Sequence, residues 1–274
     1  MTPADLFPHL RPWVENLVNV WPAPIVKPQF AQWQVLHILS LVILGGTSIL
    51  INLRLIGVGV TNESPSEVYR NLRLWLHVGV VGIVVSGVLI GMANAERLYD
   101  SVAFTAKMLA LIAGIVLTYA ASGPAARADG RVGGAARIGL LIGLAIFAVA
   151  LWVFAGGDLV NPGLWHMILA AALVVLLAAR GAIRWVYLAG LLLLVAAQFV
   201  ATHIVIKPDD YARLDPVNIA FAWIFSAWIF GAAAFQLVAG GRDGEGGTLA
   251  RVIGYATILV WVVAAAAGRW IAFA

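Results

Sequence analysis

Residues 33–56 read WQVLHILSLVILGGTSILINLRLI, a continuous apolar run with His37 near its start and Asn52 and Arg54 near its end. About 20 helical residues are enough to cross a hydrocarbon core roughly 30 Å thick. The run is therefore read as a membrane span. Seven more such stretches follow, at about 71–93, 102–122, 136–156, 162–179, 183–205, 216–239 and 249–271. The narrowest break is RGAIR, Arg180 to Arg184, which predicts two short-looped antiparallel helices on either side of it. The runs are continuous instead of alternating, which argues against a membrane β-barrel. The expectation is an all-α polytopic bundle of about eight spans.

Composition supports this. Of 274 residues, 62% are hydrophobic and 11% charged, where a soluble globular domain carries about 25% charged residues. The mean hydropathy is +0.96. The organisation expected is an N-terminal segment over 1–32, a first four-helix half over 33–156 and a second over 157–274. In the N-terminal segment, Leu6, Phe7, Trp13, Val14, Leu17, Val18 and Trp21 recur at rough helical spacing, which fits a short helix lying at the membrane interface. Its opening residues, MTPADLFPHLRPWVENL, carry acids and prolines where a signal peptide would carry a basic region, so no cleaved leader is expected.

The chain has no cysteine, which excludes disulfides, thiolate metal sites, iron–sulfur clusters and c-type haem attachment. A net charge of +4 does not point to nucleic acid, because the basic residues lie in short turns. One side of an eight-span topology holds Arg54, Arg70, Arg73, Arg127, Arg131, Arg137, Arg180, Arg184, Arg242 and Arg251. The other holds Arg11, Lys27, Arg97, Lys107, Lys207, Arg213 and Arg269. The positive-inside bias then places the first side in the cytoplasm and both termini outside, in the periplasm of a bacterial inner membrane.

Four of the five histidines fall within spans, and ionisable groups in a membrane are functional candidates by default. His37, His166 and His203 share one depth near the outer face, whereas His77 stands alone toward the cytoplasm and is expected to make a structural hydrogen bond. Two chemistries fit three imidazoles at one level. Two of them, best His166 and His203 on neighbouring helices, would ligate a b-type haem. Alternatively, all three would hold a copper, zinc or iron ion. Lys107 enters the third span at the depth of His37, where it would neutralise a haem propionate, bind an anionic ligand or snorkel outward. Asn52 and Arg54 are placed to pair with Glu63 or Glu67, and Gln198, Asn218 and Ser226 add hydrogen-bonding groups in the outer half.

The stretches LHILSLVILGGTSILINLRLIG, WLHVGVVGIVVSGVLI and FTAKMLALIAG resemble a recurring bacterial membrane module. They are similar to uncharacterised multi-span proteins and, more distantly, to the copper-resistance protein D group and the bacterial membrane protoporphyrinogen oxidase. The shared features are a histidine near one helix start, an arginine near that helix's end and a lysine two helices later, here His37, Arg54 and Lys107. The resemblance covers about residues 33–122. It implies His37 as an axial haem ligand and Lys107 as a site residue. The chain differs in having eight spans and in carrying His166 and His203 in its second half.

The leading expectation is a b-type haem subunit carrying electrons between the membrane, with quinone as a candidate partner, and an outward-facing redox protein. The alternatives are a metal-ion transporter or metal-handling protein and a cofactor-free structural or assembly subunit of a larger membrane complex.

Overall fold

Helix starts and stops follow local chemistry in the computed structural model, which describes residues 1–155, 162–179, 181–206, 210–239 and 247–271. The side chains of a few residues within those helices, His166 among them, lie outside the described residues. The long helices are α1 (Phe30–Ile56), α2 (Pro65–Ala93), α3 (Val102–Val116) and α4 (Gly134–Ala155). They continue with α5 (Pro162–Ala178), α6 (Gly181–Phe199), α7 (Tyr211–Ala239) and α8 (Thr248–Trp270). Among the described residues, seven are long and apolar enough to cross a bilayer, and α5 is the short one at 17 residues. No strand occurs among the described residues. The chain is an all-α multi-pass membrane protein.

Helix α2 begins before its apolar run because Ser64 accepts from the Glu67 backbone N–H while the Glu67 carboxylate accepts from that of Ser64, with Pro65 at the first helical position. Helix α1 ends at Gly57, whose φ of +88° lets its N–H return to the carbonyl of Arg54. Two helices end in wider, π-helical turns. Helix α3 runs through Leu117–Ser122 into Gly123–Arg127, and α6 continues into Val200–Val205. Such turns loosen the backbone ladder and recur at functional sites.

Helix α8 is the hub, packed against α1 and α3 and also touching α4, α5 and α7, while α6 lies at the edge beside α7. Small residues bring these helices to backbone contact. A Cβ on Gly79 would lie 2.6 Å from the backbone nitrogen of Leu44, and one on Gly139 would lie 2.6 Å from Ala120. The outward faces of α1 and α2 expose Val35, Ile38, Leu39, Val42, Leu74, Val78, Val81 and Val85. Apolar surface on that scale belongs against lipid.

The N-terminal segment is a succession of short helical turns, because Pro3, Pro8, Pro12, Pro24 and Pro28 each open a new one. It docks onto the α2–α3 connection. Arg11 Nη2 lies 2.6 Å from Asp100 Oδ1, the guanidinium covers the Tyr99 ring, and the Tyr99 hydroxyl donates to the Phe7 carbonyl. Phe7, Trp13, Trp21 and Ile25 remain exposed.

Candidate functional site

At the end of α6, the hydroxyl of Thr202 lies 2.8 Å from the Gln198 carbonyl and 2.9 Å from His203 Nδ1. The carbonyl can only accept, so the hydroxyl donates to it and receives the Nδ1–H of His203. That order fixes the imidazole as the Nδ1–H tautomer and leaves the Nε2 lone pair with no partner among the described residues. Phe199 stacks on the ring at 4.6 Å between centroids, 13° from parallel. The wider turn over Val200–Val205 holds Thr202 and His203 together.

His203 lines a cleft of about 460 Å³ between α6 and α7. Val195, Phe199 and Leu214 give it apolar walls, and Gln198, His203 and Asn218 supply polar groups. Gln198 Nε2 donates to Asn218 Oδ1 at 3.4 Å, which leaves the Asn218 amide N–H groups with no acceptor among the described residues. Around it, Val195, Phe199, Val200 and Ile204 are exposed, so the mouth opens toward lipid. An apolar cleft with a few convergent polar groups has the general form of a small-molecule site.

His37 and Lys107 meet at a second polar place. Lys107 Nζ lies 3.3 Å from His37 Nε2, and His37 Nδ1 lies 2.8 Å from Ser86 Oγ. Ser86 in turn lies 2.5 Å from the Gly82 carbonyl, which it must donate to. The donors run one way: amine to Nε2, Nδ1–H to Ser86, Ser86 to carbonyl. Both ring nitrogens of His37 are thus engaged, and a metal on Nε2 would have to displace the amine. Helices α2 and α8 make room for these side chains with Gly87 and Gly268. A Cβ would come to 3.3 Å from His37 Cε1 at the first and from the Lys107 amine at the second.

The structure therefore brings together His37 and Lys107, while His203 has its own surroundings on α6. The backbone of His166 is helical on α5, but its side chain lies outside the described residues. Among the described residues, no three His, Asp or Glu side chains gather as a metal-ligand set. The short connection predicted between α5 and α6 does bring them together, since the Tyr187 hydroxyl donates to the Ala172 carbonyl at 3.2 Å.

His77, Arg54 and Asn52 have structural partners. His77 Nδ1 lies 2.8 Å from the Tyr119 hydroxyl, with the rings stacked. Arg54 Nε donates to the Glu63 carbonyl at 2.5 Å. Buried Asn52 donates to the Ser48 carbonyl at 2.8 Å and accepts from Ser122 at 2.7 Å. Ser86 and Thr202 were not legible as site residues in the sequence. Ser86 reads as a small packing residue, and its only signal is that it shares a depth with His37. The signal for Thr202 is its adjacency to His203.

Residues 26–131, which span α1 to α3 and the turn after them, match a family of unknown function (DUF6644). No curated protein and no solved structure matches the chain.

Proposed function

We propose that this protein is an electron-carrying subunit of a bacterial inner membrane that exchanges electrons and protons with a lipid-soluble quinone at the α6–α7 cleft. The observation that carries this reading is the bare Nε2 of His203 in a cleft open to lipid, with the ring held by Thr202 and Phe199. A hydroquinone hydroxyl would donate to Nε2, and the ring of the head group would lie against Phe199. The Asn218 amide would donate to an oxygen of the head group. Oxidation of a hydroquinone releases two protons and two electrons. His203 would take one proton as a general base, the second would pass to water at the outer face, and both electrons would pass in single steps to a haem- or metal-bearing redox protein. The arginine-rich loops support an orientation with that partner on the outer side.

The same bare Nε2 supports a second reading, in which His203 and His166 would together hold a b-type haem. A haem there would supply reversible one-electron transfer. His203 fits an axial ligand, because Nδ1 is already held and Nε2 is not. His37, which the likeness to the oxidase and copper-resistance groups implies as a haem ligand, fits less well with both nitrogens engaged.

Two measurements on the purified protein separate the readings. Titration with a short-chain quinone, followed by tryptophan fluorescence, is expected to saturate, with His203→Ala weakening affinity about three- to tenfold, as loss of one hydrogen bond does. No saturation, or equal affinity in the variant, contradicts the quinone reading. A reduced b-type absorption band that disappears in His203→Ala would establish the haem reading in its place.

A further inference from the structure

We infer that Lys107, seated by His37 and Gly268, is a binding site for a phosphate oxyanion at the bundle end that also carries the N-terminal segment. The amine gives one N–H to His37 Nε2, and an ammonium has two more to give. Among the described residues no carboxylate pairs with it, and Asp100 and Asp210 are taken by Arg11 and Arg213. An uncompensated cation among apolar helices is costly, and an anion that completes its donor set removes that cost.

The surroundings are shaped for the side chain. Any residue larger than glycine at 268 would press on the amine, and one at 87 would press on the imidazole behind it. His37 cannot turn away from the amine without breaking its bond to Ser86. The amine is thus held at a fixed place with its remaining donors uncommitted.

Depth identifies the oxyanion. Helix α1 has 27 residues, about 40 Å at 1.5 Å per residue, against a core of about 30 Å. Its ends protrude by about 5 Å each. His37 lies seven residues into that helix, so it sits about 5 Å below the hydrocarbon boundary. With the amine held at that level, a phosphate reaches it by sinking about 5 Å into the boundary, as local bilayer thinning around a buried cation allows. The oxyanion is then the phosphodiester of an anionic lipid head group or, from the aqueous side, free phosphate. The site is separate from the α6–α7 cleft and does not depend on the quinone reading.

The full-length protein is reconstituted in nanodiscs of equal phosphatidylglycerol and phosphatidylcholine, extracted gently, and its retained lipid counted by native mass spectrometry. Wild type is expected to retain phosphatidylglycerol preferentially. Lys107→Gln is expected to lose that preference about tenfold, while Lys107→Arg keeps most of it and His203→Ala all of it. Addition of millimolar inorganic phosphate distinguishes the sources: displacement of the lipid identifies free phosphate as a ligand, and persistence identifies the lipid. Folding is checked by the thermal transition of each variant. Equal retention in wild type and a folded Lys107→Gln, or no preference in wild type with no effect of phosphate on its thermal transition, overturns the proposal. If Lys107→Gln does not fold, loss of the preference in a folded Gly268→Val, whose added side chain displaces the amine, supports it and full retention there overturns it.

Discussion

Lys107 Nζ lies 3.3 Å from His37 Nε2 although 70 residues separate them in the chain. Three helices meet to make this contact: α1 supplies the imidazole, α3 the amine, and α2 the serine that orients the ring. The hub helix α8 contributes only an absence of side chain, at Gly268. A polar pair in a bundle this apolar is held by shape as much as by hydrogen bonds.

The same reliance on shape predicts unequal effects of glycine substitution. Gly79 and Gly45 both sit in apolar spans, but a Cβ at 79 would lie 2.6 Å from the backbone of Leu44, while one at 45 meets nothing within 4 Å. Gly79→Ala is expected to destabilise by about 1–3 kcal/mol, the usual cost of overpacking. Gly45→Ala should be neutral or slightly stabilising, since alanine favours helix. Thermal unfolding of both variants in the same detergent checks the contrast.

Asn52 and Ser122 tie α1 to the π-helical turn after α3 through a 2.7 Å hydrogen bond. Both side chains are fully buried. A double-mutant cycle with Asn52→Ala and Ser122→Ala is expected to give a coupling of about 1 kcal/mol, within the range of interhelical hydrogen bonds in membranes. Additive effects would show that the bond contributes nothing net.

Asp129 caps the start of α2 from the α3–α4 turn, accepting from the Ser66 backbone N–H at 3.0 Å. Its bonds to the Ser66 hydroxyl and backbone hold the carboxyl below its ordinary value of 3.8. A carboxylate lowered by folding contributes its full stability above the unfolded value and loses it as the pH falls through the folded one. Wild type is therefore expected to be more stable than Asp129→Asn at neutral pH, with the gap closing only below about pH 4. Melting curves of the two proteins across that interval test this.

Thr202 lines the cleft, but its hydroxyl is committed to the Gln198 carbonyl and to His203, so it acts by positioning His203. Thr202→Val keeps the shape but removes the acceptor that fixes the Nδ1–H tautomer. Quinone affinity should fall about threefold or more, the loss of one oriented hydrogen bond, while the melting temperature stays close to wild type. Replacement by Ser, which keeps the hydroxyl, should restore affinity. A purely structural role would move stability and leave affinity unchanged.

The spans were readable because an uninterrupted apolar run of about 20 residues matches the thickness of a bilayer core and suits little else. The starts were less so. Helix α2 begins at Pro65, six residues before its apolar run, because a capping box started it and hydropathy does not register caps. Helix α7 begins at Tyr211 and carries Pro216 within it, where the sequence suggested a start at 216. Of the site, the sequence put His37 and Lys107 at one depth but did not predict that they touch. What depth could not show was which side of each helix faces inward. The sequence put His203 at that depth too, yet it faces the α6–α7 cleft, and the π-helical turn that sets its direction leaves no mark in hydropathy.

The most direct test of the quinone reading is photolabelling of native membranes with an azido-quinone, with the labelled peptides located by mass spectrometry. Label is expected within residues 195–218, competed away by unlabelled quinone and lost in His203→Ala. Label confined to other helices, or label in that interval that excess quinone does not displace, would contradict it.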